Sequence, residues 1–140
     1  MGRGNYKNTG VGTIVYMKTI LVVEDDNLVR KVIEIRVKQI LDDSDIEIIA
    51  AADGNEAMEK YQALRPKVVI LDLVLPGING FDIMAQIKDD IKSKKTIVVA
   101  LSNLSGGQDM ARAKNLGAAG YFVKSNIDMA HLAESIKKYL

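Results

Sequence analysis

The chain contains no cysteine and no tryptophan, two prolines, two phenylalanines and a single histidine, His131. Without thiols there is no disulfide, no thiolate nucleophile and no Cys-ligated zinc. His131 lies within a helical stretch and has no partner at metal-ligand spacing, so a packing or surface role is expected. Charge of neither sign dominates: 19 Lys and Arg against 18 Asp and Glu leave a net charge of +1. That balance offers no electrostatic grip on DNA or RNA, and no direct nucleic-acid contact is expected. No apolar run approaches the roughly 20 residues of a membrane span. The N-terminus lacks the apolar core of a signal peptide. A cytoplasmic protein with no membrane insertion is the simplest expectation.

What is present is 48% apolar residues in a chain of 140, enough for one domain built on Ile, Val, Leu and Ala. Residues 1–16 differ from the rest. Met1 to Gly12 carries four glycines with Asn5 and Asn8, and Met17-Lys18-Thr19-Ile20 reads as a natural start. Residues 1–16 are therefore expected to be a disordered leader or an expression remnant, and 17–140 the folded domain.

Apolar runs alternate with helix-period segments through that domain. Thr19–Val23, Ile46–Ala51, Val68–Leu71, Ile97–Leu101 and Gly120–Val123 read as five strands. Their continuous apolar character suits parallel strands covered on both faces. Five helical patterns follow them. The first carries Val29, Ile33, Val37 and Ile40, and the second Ala57, Tyr61 and Leu64. The third carries Ile83, Met84, Ile87 and Ile91. The fourth, shorter, has Met110, Ala113 and Gly117, and the last has Met129, Leu132, Ala133, Ile136 and Leu140. Strict βα alternation predicts an α/β fold: a doubly wound five-stranded parallel sheet of flavodoxin-like order 2-1-3-4-5, with helices on both faces.

Charged residues stand at the strand ends. Glu24-Asp25-Asp26 follows the first apolar run, Asp72 ends the third and Lys124 follows the fifth. In that strand order the crevice opens beside strands one and three, where open α/β sheets hold their ligands. Two acidic strand ends and one basic end suit a divalent cation and a phosphoryl group.

These residues also carry a resemblance. Val-Val-Glu-Asp-Asp at 22–26, Leu-Asp-Leu-Val-Leu-Pro-Gly at 71–77, Leu-Ser-Asn at 101–103 and Tyr-Phe-Val-Lys at 121–124 resemble, in order and separation, a stand-alone response-regulator receiver domain of the CheY-like kind, over Lys18 to Leu140. The resemblance implies a phosphorelay protein of a two-component system. It would take a phosphoryl group from a histidine kinase or phosphotransfer protein and signal to a separate protein target through a changed surface. It implies that Asp72 is the phosphoacceptor, that Lys124 pairs with phosphate oxygens and that Ser102 turns its hydroxyl to the phosphoryl group. Tyr121 matches the aromatic switch position. Mg2+ would be held by Asp25, Asp72 and the backbone carbonyl of Val74, with Glu24 acting through a water. The chemistry agrees: a carboxylate nucleophile forms an aspartyl phosphate, and phosphoryl transfer depends mostly on positioning and charge neutralisation. Such a protein is a phosphoacceptor with slow self-dephosphorylation rather than an enzyme.

The chain departs from the family's pattern in places. Ser125 stands where a proline with a cis bond is usual, and a cis bond to a non-proline residue costs roughly 3–4 kcal/mol. The Ser125 loop is still expected to aim Lys124 at the crevice. Asn103 replaces a usually small residue, and Val74 and Leu104 are apolar where the family influences the hydrolytic water. Asp26 is excluded from the site and read as a solvated residue where the first helix begins. Asp53-Gly54-Asn55-Glu56 reads as a turn and helix cap. Arg30, Lys31, Arg36 and Lys38 read as a solvated helix face. Three alternatives stand beside the phosphoacceptor. A haloacid-dehalogenase-type phosphatase would want an acid at position 74. A flavin module would find its phosphate repelled by Glu24-Asp25-Asp26. A docking-only pseudo-receiver is the third.

Overall fold

The apolar runs become the strands of one parallel sheet. The computed structural model of the protein describes residues 6–12, 14–103 and 107–140. Strands β1 (Tyr6–Asn8) and β2 (Ile14–Tyr16) pair as an antiparallel ribbon, and the other five form the main sheet: β3 (Lys18–Val23), β4 (Ile46–Ala51), β5 (Val68–Asp72), β6 (Ile97–Ser102) and β7 (Gly120–Val123). Their order is β4-β3-β5-β6-β7, all neighbours parallel. Counting the main-sheet strands alone, this is the expected 2-1-3-4-5.

Alternation along each strand divides the core in two. Ile20, Val22, Val68, Ile70, Val99 and Leu101 face helices α1 (Asn27–Leu41) and α6 (Met129–Lys137), against Ile33, Val37, Leu132 and Ile136. Leu21, Val23, Val69, Leu71, Val98 and Ala100 face the other helices, against Tyr61, Phe81, Met84 and Ala113. Those helices are α2 (Gly54–Leu64), α3 (Gly80–Gln86), α4 (Lys88–Lys92) and α5 (Gly107–Asn115).

One expectation is corrected. The third helical pattern is broken into α3 and α4 at Ile87, whose backbone (φ −104, ψ 17) leaves the helical region. Ile83, Met84, Ile87 and Ile91 nevertheless stay buried together in one core cluster. Within the segment expected to be a disordered leader or an expression remnant, residues 6–8 and 14–16 form a ribbon. The Tyr6 and Tyr16 rings meet edge-on across it at 6.2 Å, and Lys7 pairs with Asp45 at 2.6 Å. Such cross-strand aromatic contacts are what hold short ribbons together.

Two loop features set the geometry above the sheet. Gly77 takes φ +74 in the loop after β5, and Gly80 packs so tightly that a Cβ there would lie 2.5 Å from the Asp72 carbonyl oxygen. The first turn of α3 is thereby pressed against the end of β5. Asn79 caps that helix through Asp82 N–H at 3.0 Å, and the Asp82 carboxylate accepts from Asn79 N–H in return. Among the described residues no helix is long and apolar enough to cross a membrane.

Candidate functional site

The site lies at the C-terminal ends of β3, β5 and β7. Parallel pairing of Val23 with Leu71 brings the residues after them, Glu24 and Asp72, side by side. Both are buried, at 0% and 1% exposure, whereas Asp25 is exposed. One carboxylate oxygen from each of Glu24, Asp25 and Asp72 lies within 4.8 Å of the others.

Lys124 enters between the two buried acids. Its Nζ donates to Glu24 Oε1 at 2.8 Å and to Asp72 Oδ2 at 2.9 Å. No cis peptide bond occurs among the described residues, so Lys124 reaches the crevice across a trans bond to Ser125, from a 3-10 turn at Lys124–Asn126. The other oxygens are also held. Asp72 Oδ1 accepts from Val74 N–H at 3.0 Å, and Glu24 Oε2 accepts from Asp26 N–H at 3.1 Å.

These contacts set the electrostatics. Burial pushes the Glu24 carboxyl up to about 7, against the opposing pull of its Lys124 hydrogen bond. Burial disfavours the Lys124 ammonium, but its bonds to Glu24 and Asp72 outweigh this and raise its pKa. Three carboxylates face one ammonium, so the cluster carries an excess of acidic groups. An all-oxygen donor set with uncompensated acid, two of its members fixed by burial, fits a hard divalent cation.

The remaining predicted residues occupy the rim and the neighbouring strands. Ser102 ends β6, buried at 1% exposure, one residue beyond the Leu101 that pairs with Asp72. Tyr121 lies in β7 opposite Ala100, half-buried against the α2–α5 side of the core. Val74 stands on the rim at 60% exposure, and Asn103 is exposed. Leu104 lies outside the described residues. Asp26 caps α1, accepting from Leu28 and Val29 N–H at 2.9 and 3.0 Å. His131 is exposed and meets the Phe122 ring edge-on at 5.3 Å.

Sequence reasoning missed Arg30. It reads as one of several solvated basic residues on the first helix. In the structure it is half-buried, and its guanidinium donates to the backbone carbonyl of Glu24 at 2.7 Å and to Asn27 Oδ1. No sequence signal separates it from Lys31 or Arg36, because its main partner is a backbone atom.

Comparison with known proteins identifies the family and the fold. The model of the response regulator receiver domain family matches residues 20–137. A probable transcriptional regulator, ycf27 of Cyanophora paradoxa, is 32% identical over 107 residues, covering 76% of this chain and 42% of that protein. The chain thus spans less than half the length of that curated relative. Among solved structures, Vibrio cholerae chemotaxis protein CheY4 superposes with a TM-score of 0.70 at 28% identity, covering 89% of this chain and 99% of that one. The Mn(2+)-bound form of response regulator Rcp1 gives a TM-score of 0.68 at 30% identity, covering 86% and 92%.

Proposed function

Because this chain belongs to the response regulator receiver domain family of two-component signalling, we propose that it accepts a phosphoryl group on Asp72 from the phosphohistidine of a kinase or phosphotransfer protein. The observation that carries this reading is the position of Lys124, whose ammonium bridges the buried carboxylates of Asp72 and Glu24. In the transfer, an Asp72 carboxylate oxygen forms the new bond to phosphorus. The phosphorus–nitrogen bond of the donor breaks, and its electron pair returns to the leaving imidazole. Charge spreads over the three equatorial oxygens as this happens. Lys124, already beside Asp72, is placed to follow that charge from carboxylate to phosphoryl oxygen as a compact ammonium.

Asp25 and Asp72 would hold the divalent cation, Mg2+ in this reading, with the backbone carbonyl of Val74 and with Glu24 through a water. Bound there, it would supply the charge neutralisation that phosphoryl transfer requires. Ser102, buried at the end of β6, would turn its hydroxyl to the phosphoryl group, and Tyr121 in the adjacent strand would follow it. The reporting surface would be α5, β7 and α6, read by a separate protein target. This is a local charge event biasing a two-state element.

Incubation with acetyl phosphate and magnesium, followed by intact mass, tests the reading. A gain of one phosphoryl group in the parent and none in Asp72→Asn is expected. No gain in either protein would favour a docking-only module. Continuous release of phosphate from small phosphomonoesters would favour a phosphatase.

A further inference from the structure

We infer that Arg30 is a positioning residue for the metal site, holding the turn from Glu24 to Asn27 so that the Asp25 carboxylate faces Asp72. The inference rests on the metal site proposed above and adds a residue to it. Every polar group of Glu24 is anchored. Its N–H donates to Ala51 O at 3.1 Å, Oε1 meets Lys124 and Oε2 meets Asp26 N–H. The Glu24 carbonyl is the fourth group, and Arg30 Nη1 holds it at 2.7 Å.

That carbonyl belongs to the peptide plane leading into Asp25. Asp25 itself is exposed, and its carboxylate makes no hydrogen bond or ion pair among the described residues. The backbone on either side therefore sets where its Cα–Cβ bond points and hence the space its carboxylate can reach. On the C-terminal side the chain is fixed by Asp26, which caps α1 and donates to Glu24 Oε2. On the N-terminal side it is fixed by Arg30. The planar fork of a guanidinium suits this task, because one nitrogen takes the Glu24 carbonyl while the other takes Asn27 Oδ1. A residue one shell behind metal ligands typically alters affinity about 10–100-fold.

Charge alone predicts the opposite sign. Arg30 is a cation beside an acidic cluster, so removing it should strengthen cation binding. The two accounts separate in Arg30→Met and Arg30→Lys. Mn2+ titration of the full chain, by the loss of free-ion magnetic resonance signal, reads the affinity. Asp25→Ala serves as the reference for a lost site. The expected result is that Arg30→Met binds Mn2+ about tenfold or more weakly, with Arg30→Lys in between because one donor can still reach the carbonyl. In the metal-free protein, the Asp26 amide should exchange faster in Arg30→Met while core amides of β3 and β5 stay protected. That exchange readout needs no metal. Unchanged or tighter Mn2+ binding by Arg30→Met, or an unaltered Asp26 amide, would overturn the inference. Absence of Mn2+ binding by the parent protein would instead overturn the metal site itself.

Discussion

Lys124 and Asp72 are 52 positions apart in the sequence, and the Lys124 ammonium stands 2.9 Å from the Asp72 carboxylate. The same ammonium stands 2.8 Å from Glu24, 100 positions away. Lys124→Met would strand two buried carboxylates. Removing one partner of a buried ion pair costs about 3–5 kcal/mol, and the lower end is expected because Glu24 can take up a proton instead. The urea midpoint of the metal-free protein reads this loss. A divalent cation at about a hundredfold its Kd should then restore roughly 2–3 kcal/mol. A midpoint that does not move would show that the ammonium does not hold the acids together.

Gly80→Ala should damage fold and site together. The new methyl would meet the Asp72 carbonyl oxygen at 2.5 Å and Leu73 Cα at 2.7 Å, both backbone atoms with little room to yield. Overpacking of this kind costs about 1–3 kcal/mol, and the loop beyond Asp72 would shift with it. The expected outcome is a lower thermal midpoint and slower phosphoryl uptake. Wild-type stability and uptake in Gly80→Ala would contradict the close packing of α3 against β5.

Glu56 supplies a pH dependence of its own, outside the acidic cluster of Glu24, Asp25 and Asp72. Its Oε1 accepts from Ala52 N–H at 2.7 Å, and Oε2 pairs with Lys60 at 3.2 Å. The Ala52 bond, with help from Lys60 and against slight burial, holds the Glu56 carboxyl below its ordinary 4.5. A depressed carboxyl contributes stability above its unfolded pKa and loses it as pH falls through the folded value. Glu56→Gln should cost about 0.5–1 kcal/mol at pH 7, a value reduced by solvent screening. The difference from the parent should shrink as pH drops below 4.5. A gap that stays constant from pH 7 to pH 3 would show that the charge is not what matters.

The main sheet was legible because its central strands β3, β5 and β6 are buried on both faces. Val68–Leu71 and Ile97–Leu101 each extend by one residue in the structure, to Asp72 and Ser102, where apolar pattern gives way to polar tips. The clustering of Glu24, Asp25, Asp72 and Lys124 followed from the strand order, since parallel strands bring their C-terminal ends to one edge. The break at Ile87 was not legible. The apolar residues keep their helical spacing across it, and Ile87 N–H still bonds Ile83 O at 3.1 Å. Arg30 was not legible either, because sequence pattern carries no information on which backbone carbonyl a guanidinium will meet. The tyrosines of the leader ribbon were hidden by the surrounding glycines, which set the composition of the segment.

The aspartyl phosphate should be long-lived. Hydrolysis needs a water placed in line behind phosphorus, and a hydrogen-bonding side chain helps to orient it. Val74 stands exposed on the rim and offers no such group, and Leu104 offers none in the sequence. Replacing Val74 with Asn and Leu104 with Glu should speed loss of label, measured after labelling is complete. Fast loss in the parent, or no change in the double variant, would show that these positions do not control the water.

The central claim is that Asp72 carries the phosphoryl group. Borohydride reduces an acyl phosphate to an alcohol, so a phosphorylated aspartate becomes homoserine and can be located by peptide mass spectrometry. After treatment with acetyl phosphate and magnesium, homoserine should be found at position 72 and nowhere else. Homoserine at Asp25 or Asp26, or the one-carbon-longer alcohol 5-hydroxynorvaline at Glu24, in place of homoserine at 72, or full labelling of Asp72→Asn, would contradict the account.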